Sequence, residues 1–308
     1  MRISVVSPVY NSAASLIDLH RQVVDAVSKL SQVSSYELIL VDDASTDDSW
    51  DVIKKIVSVD ANVRAARFAR NFGQHHALTA GLDIGDGDWF VTLDADLQDS
   101  PDDIALLWEK ACDGFDVVHA RRGSRTDPMW RRIGARLFHA FFEWLAGLEY
   151  ERKVANFRIM SRTVVESLRC MPESSRNVGA QLQWLGFRTA YVGVRQRERA
   201  GGTSSYTVRK LTKLALDTAI AYSNKPLRLS VGVGLLTSAV ALVSSVWIGF
   251  RAIVWGIPVE GWASLMVSIW FLGGAIIASI GVVGIYVGRA FDESKRRPIY
   301  VVSESLNC

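Results

Sequence analysis

Asp94, Ala95, Asp96, Leu97, Gln98 and Asp99 follow one another directly after an apolar stretch. Two carboxylates two residues apart repel each other unless a cation lies between them. Hard divalent cations take oxygen ligands, and Mg²⁺ is commonly held by one or two carboxylates together with substrate phosphates. Asp94, Asp96 and Gln98 are therefore candidate metal ligands, and the chemistry they would serve is neutralisation of a departing diphosphate. The bland alternative is a solvated acidic turn, with Asp99 or Ser100 capping a helix that opens near Pro101.

A second acidic pair, Asp42 and Asp43, precedes Ala44, Ser45, Thr46 and Asp47. A carboxylate at a strand end can accept hydrogen bonds from a nucleotide base or ribose. Here the alternative is a helix start over 47–57, with Ser45 or Thr46 as its cap. A diphosphate also needs cations. Residues 121–136 hold six arginines against Asp127, and residues 188–213 hold seven bases against Glu198. Guanidinium forks suit phosphate oxygens, although bases near a membrane also serve anionic headgroups. Residues 201–206 (GGTSSY) form a polar, glycine-rich loop of the kind that lets backbone amides approach phosphate. His75 and His76 lack a partner at ligand spacing and read as structural.

These residues need a scaffold. Short β-branched runs at 3–7, 36–41, 63–68, 89–93 and 115–119 alternate with helical spacing at 16–30, 52–57 and 104–111. That alternation predicts an α/β domain with a parallel sheet covered on both faces. Ligands bind such sheets at the carboxyl ends of the strands. The places to look are Pro8 to Asn11, Asp42–Asp43, Arg70 to Gly73, Asp94 to Asp96 and Arg121–Arg122.

The chain has 308 residues, 49% of them hydrophobic, and a net charge of +3; its mean hydropathy is +0.15. The excess sits at the end. Residues 229–250 and 261–288 carry no charge, and each run reaches the roughly 20 residues of a membrane-spanning helix. A purely soluble protein and a disordered one are both excluded on composition. The first residues do not read as a signal peptide. Cys112, Cys170 and Cys308 follow neither a disulfide nor a zinc pattern, and no nucleic-acid-binding pattern appears. Two stretches, 130–148 and 206–222, carry aromatic apolar stripes with basic flanks, as helices lying in a membrane interface do. Lys225 and Arg228 precede the first span, and Arg289, Lys295, Arg296 and Arg297 follow the second. The positive-inside rule then places the large domain and the C-terminal tail in the cytoplasm. Gly273, Gly274, Gly281 and Gly284 would permit close helix packing, and with it a homo-oligomer.

SVVSPVYN at 4–11, LILVDDASTD at 38–47, RNFGQHHALTAG at 70–81, DADLQDSP at 94–101, NFRIMSR at 156–162, RERAGGTSSY at 197–206 and RPIYVV at 297–302 together resemble a family-2 glycosyltransferase. The subgroup is the bacterial polyprenyl-phosphate glycosyltransferases, similar to dolichol-phosphate mannose synthase. The resemblance implies a Rossmann-like GT-A domain over 1–205, a juxtamembrane amphipathic helix over 206–226, two transmembrane helices over 227–290 and a tail over 291–308. It implies an NDP-sugar donor, a UDP-hexose in the commoner bacterial case, and transfer of one sugar to undecaprenyl phosphate at the bacterial inner membrane. Pro8, Tyr10, Asn11, Asp42, Asp43, Gly73, Asp94 and Ala95 would line the nucleotide. Asp94, Asp96 and Gln98 would arrange Mg²⁺ or Mn²⁺. Arg121, Arg131 and Arg199 match basic positions near the donor and acceptor phosphates, and Asn156, Arg158, Ser204, Tyr206 and Arg209 lie in the blocks expected on the acceptor side. Three positions depart from the pattern: Ser12 where many relatives have Glu, Asn156 where many have Asp, and Ser205 where many have Lys. A non-catalytic nucleotide-sugar-binding scaffold and a processive polysaccharide synthase are the alternatives. Two spans make a poor polymer channel.

Overall fold

The computed structural model describes residues 1–122, 154–174, 176–194, 223, 225–255 and 261–308. The chain divides into two compact units. The first comprises Met1–Asp127, Tyr150–Ser204 and Arg297–Cys308, and the second Pro128–Glu149 and Ser205–Arg296.

The first unit is built on one sheet of eight described strands: β1 (Arg2–Val9), β2 (Ser35–Asp42), β3 (Val63–Phe68), β4 (Trp89–Thr92), β5 (Val117–Arg122), β6 (Val154–Ser161), β7 (Thr189–Val194) and β8 (Val302–Leu306). Their order is β7-β5-β6-β4-β1-β2-β3-β8. The expected parallel arrangement holds across β4-β1-β2-β3, where Val5 of β1 faces Leu38 on one side and Val91 on the other. The flanks correct the expectation. β6 runs antiparallel between β4 and β5, and β8 runs antiparallel on the outer edge of β3. β6 alternates: Phe157 and Ile159 enter one core and Met160 the other, as a strand buried on both faces must. β8 takes up the backbone groups that the edge of β3 would otherwise expose. Part of the segment read as a tail is thus a strand of the sheet. β5 runs to Arg122, so Arg121 and Arg122 end the strand rather than follow it.

Helices cover both faces. On one, Leu16, Leu19, Val23 and Val27 of α1 (Leu16–Ser28) pack with residues of α2 (Ser49–Val59) and α4 (Ile104–Cys112) against Val5, Leu38, Leu40 and Val91. On the other, α3 (Gln74–Ile84), α5 (Arg162–Arg169) and α6 (Val178–Leu185) pack over Val6, Ile39, Val41 and Phe90. Each such side chain, fully buried, contributes about 1.5–3 kcal/mol. α3 lies close on the sheet because Gly81 has no side chain: a Cβ there would stand 2.2 Å from Val6 Cγ1. A short 3₁₀ turn, Pro101–Asp103, leads into α4 with no side-chain cap from Ser100.

In the second unit, α7 (Lys225–Trp255) and α8 (Trp262–Ser294) carry apolar side chains outward, among them Leu235, Leu242, Trp270, Phe271 and Ile277. Leu227–Ser244 and Ser268–Ser294 are long and apolar enough to cross a membrane. Both amphipathic stretches read at 130–148 and 206–222 lie outside the described residues.

Candidate active site

The acidic pair stands just past the carboxyl end of β4, the strand where the parallel block meets antiparallel β6. Asp94 is half-buried and Asp96 exposed. Gln74 Nε2, from the first turn of α3, donates to Asp94 Oδ1 at 2.6 Å. Asp96 Oδ1 accepts the Gln98 backbone N–H at 3.1 Å. Between them Ala95 is buried and its carbonyl accepts the Ser15 hydroxyl at 2.6 Å. Leu97 closes the turn with φ +56°, a left-handed conformation that costs a non-glycine residue about 1–2 kcal/mol. Asn11 after β1 (φ +50°) and Ala44 after β2 (φ +55°) do the same. Left-handed residues thus sit at the carboxyl ends of all three neighbouring strands, the kind of local strain that collects at functional sites.

The loops after β1 and β2 are stitched into one shelf. Asn11 N–H donates to Ser45 Oγ at 3.0 Å, and Asn11 Oδ1 accepts the Thr46 N–H at 2.9 Å. Ser12 N–H donates to Ser49 Oγ at 2.9 Å, and Ala13 N–H to Asp47 Oδ2 at 3.2 Å. Tyr10, half-exposed, is the aromatic ring this shelf presents to solvent. Pro8 lies within β1 opposite Val41 and is buried.

Asp42 and Asp43 are both buried. Asp42 lies 3.2 Å from Arg67 Nε and accepts the Ser45 N–H. Asp43 takes the N–H of Phe72 on Oδ1 at 2.7 Å and that of Gly73 on Oδ2 at 2.9 Å. It thereby anchors the turn that opens α3, where Gly73 adopts φ +101°. Burial pushes both carboxyls upward, opposed by these hydrogen bonds and by Arg67 and Arg70. The structure brings Asn11, Asp42, Asp43, Gly73, Asp94 and Ala95 together at adjoining strand ends. It engages the Asp42 and Asp43 carboxylates in internal bonds.

Gln98 is buried, and it supports Asp96 through its backbone. Among the described residues no group of three or more His, Cys, Asp or Glu side chains forms a ready-made metal cage. The donor set of Asp94 and Asp96, one half-buried and one exposed, nonetheless suits a hard cation whose remaining ligands come from substrate phosphates.

Arg158, read among the acceptor-side blocks, is buried within the sheet. It is 4% exposed, with Nε on the Asn156 carbonyl and Nη2 on Asn156 Oδ1, both at 3.2 Å. Burial lowers it to about 10, opposed by the negative charge of Asp94. His75 and His119 flank it; burial, aided by the Arg158 charge, pulls them down to about 4 and about 3 and keeps both neutral. The His119 ring stacks on Tyr191, with centroids 5.5 Å apart. The sequence does not single out Gln74 or His119: Gln74 lies in the RNFGQHH block after β3, and nothing local marks His119. Arg121 is exposed at the end of β5. Arg131, Arg199, Ser204, Tyr206 and Arg209 lie outside the described residues.

The doubly covered mixed sheet, with an acidic pair after a central strand and a stitched shelf beside it, is an α/β domain of the GT-A kind. The sequence matches glycosyl transferase family 2 over residues 4–168. The chain belongs to that family and is a glycosyltransferase. It is similar along its length to a prophage bactoprenol glucosyl transferase homolog of Escherichia coli, 36% identical, covering 98% of each chain. A bactoprenol glucosyl transferase of Shigella phage SfV shows the same identity and coverage. Among solved structures, glucosyl-3-phosphoglycerate synthase from Mycobacterium tuberculosis, in complex with Mn²⁺, UDP and phosphoglyceric acid, is similar at a TM-score of 0.49 and 20% identity. That match covers 71% of this chain and 76% of the other.

Proposed function

We propose that this glycosyltransferase moves one hexose from a UDP-sugar to the phosphate of a polyprenyl phosphate, undecaprenyl phosphate in a bacterium, in a metal-dependent, inverting step. The observation that carries the reading is the Asp94–Asp96 pair beside the Asn11–Ser45 shelf, in a chain that matches bactoprenol glucosyl transferases from end to end. By those relatives' names the hexose is glucose.

The shelf would take the nucleoside, with Tyr10 offering a ring face and Asp43 fixing the turn at Gly73. Asp94 and Asp96 would hold Mg²⁺ or Mn²⁺, which supplies charge neutralisation for the departing diphosphate. A phosphate monoester has a second pKa of about 6, so the acceptor is largely a dianion at neutral pH. It can attack the anomeric carbon without a general base, which is compatible with Asn156 where an acid was expected. The protein's task is to hold two anionic groups close, by positioning and fixed charge. Arg121 is an exposed cation at the sheet end available for this.

Connectivity supports the topology expected from the lysines and arginines. Residues before α7 and after α8 belong to the same sheet. If both helices cross a membrane, the chain crosses twice and returns to the side it left, the cytoplasm under the positive-inside rule.

The test compares Asp96→Ala with Asn156→Ala in a lipid-product assay. Asp96→Ala should lose roughly 10²–10³-fold in rate, the cost of one preorganised electrostatic group, while Asn156→Ala keeps activity. The reverse order would overturn the base-free mechanism.

A further inference from the structure

The last strand of the chain is tied to the shelf. Glu304 of β8 stands opposite Arg67 of β3 in the antiparallel register. Its Oε2 accepts the indole N–H of Trp50 at 2.9 Å. Trp50 is buried, in the first turn of α2, one residue after the Ser49 that bonds Ser12 and Asp47. The guanidinium of Arg67 lies over the Trp50 ring, 5.8 Å from its centroid. From there Arg67 reaches Asp42, Nε to Oδ2 at 3.2 Å, and donates through Nη2 to the Ser45 carbonyl at 3.4 Å. A continuous path of contacts therefore runs Glu304, Trp50, Arg67, Asp42.

Covering the edge of β3 requires only backbone pairing, so edge protection does not account for the Glu304 side chain. An arginine side chain has many rotamers to lose when it is held in one place. Stacking on a fixed indole restricts it to the rotamers that reach Asp42. The indole is packed in the core, and its N–H is oriented by its hydrogen bond to Glu304. We propose that Glu304 is a positioning residue for donor binding, acting through Trp50 and Arg67 on the Asp42–Ser45 turn. This rests on the reading that the shelf holds the donor nucleotide, and it makes the chain's last strand part of that pocket.

The test is calorimetric titration of UDP with Mn²⁺ into the full-length protein in lipid nanodiscs, for the wild type, Glu304→Ala, Glu304→Gln and Asp42→Asn, with donor KM and kcat measured alongside. Glu304→Ala should weaken UDP roughly two- to twelve-fold, within the net worth of one hydrogen bond, and raise donor KM in step while kcat changes less. Glu304→Gln, whose Oε1 still accepts the indole N–H, should restore most of the loss; a merely structural role for Glu304 through its ion pair with Lys54, Nζ to Oε1 at 3.8 Å, would not be rescued this way. Glu304→Ala binding UDP like the wild type while Asp42→Asn is weakened would overturn the inference alone. Unchanged binding in both variants would overturn the nucleotide reading of the shelf and the inference with it. A Gln variant as weak as Ala would overturn the proposed hydrogen-bond route.

Discussion

Replacing Asp43 tests whether its carboxylate builds the site from within. Asp43 is 3% exposed and accepts two backbone N–H groups, from Phe72 and Gly73, one on each oxygen. A hydrogen bond to a charged acceptor contributes about 1.5–3 kcal/mol net. Asp43→Ala removes both, and partial access of water to the turn favours the lower end, about 3 kcal/mol. Asp43→Asn keeps one acceptor and points an N–H₂ at the other donor, so about half that loss is expected. In a domain of roughly 150–250 residues, 1 kcal/mol moves the unfolding midpoint by about 2–4 °C. Asp43→Ala should therefore unfold about 6–12 °C lower, with Asp43→Asn between it and the wild type. The assay is thermal unfolding followed by tryptophan fluorescence, with and without saturating UDP and Mn²⁺. Ligand at a hundred times its Kd should stabilise the wild type by about 2.7 kcal/mol, and Asp43→Ala should lose most of that increment. An Asp43→Ala midpoint within about 2 °C of the wild type would refute the reasoning, since it would leave the carboxylate free to act only on the ligand.

Three further outcomes follow from the packing. Gly81→Ala should destabilise by about 1–3 kcal/mol by overpacking despite alanine's better helix propensity, because its Cβ would meet Val6 Cγ1 at 2.2 Å; a stabilised variant in urea unfolding would contradict the close approach of α3. Arg169 donates to the Leu82 carbonyl at 3.0 Å and to the Gly85 carbonyl at 2.6 Å, capping the end of α3; Arg169→Met should cost about 2–4 kcal/mol, read as a lowered unfolding midpoint, and an unchanged midpoint would contradict the cap. His75 and His119, lowered to about 4 and about 3 in the folded protein, gain protons in the unfolded chain first. Stability should therefore fall as pH drops from 7 through the ordinary histidine range, by about 2.5 kcal/mol by pH 5.5 for the pair. Midpoints of His75→Gln/His119→Gln that fall as steeply with pH would place the proton uptake elsewhere.

Much of the scaffold is legible along the chain because β1 to β4 are apolar runs with turns after them, and burial on both faces leaves them little else to be. β6 is concealed because Asn156 and Arg158 interrupt its apolar pattern; Arg158 Nε and Nη2 bond the Asn156 carbonyl and side chain. α3 is built largely of small residues that carry weak periodicity, and its place depends on Gly81. β8 is legible only through its partner β3, far away in sequence. Asp94 and Asp96 are found by type and spacing, since no ordinary packing role calls for the pair. Asp42 and Asp43 show the limit: a carboxylate that grips backbone N–H groups looks the same in sequence as one that grips a ligand. Arg158 shows the same limit: the sequence does not distinguish a surface base from one buried against Asn156.

The central claim is tested most directly by incubating the purified full-length protein with Mn²⁺, undecaprenyl phosphate and a panel of UDP-hexoses, and reading UDP release together with the mass of the lipid. The expected result is UDP release with a lipid heavier by one hexose, for UDP-glucose, abolished by Asp96→Ala. UDP binding without release or adduct for any donor would contradict it and establish the non-catalytic scaffold instead.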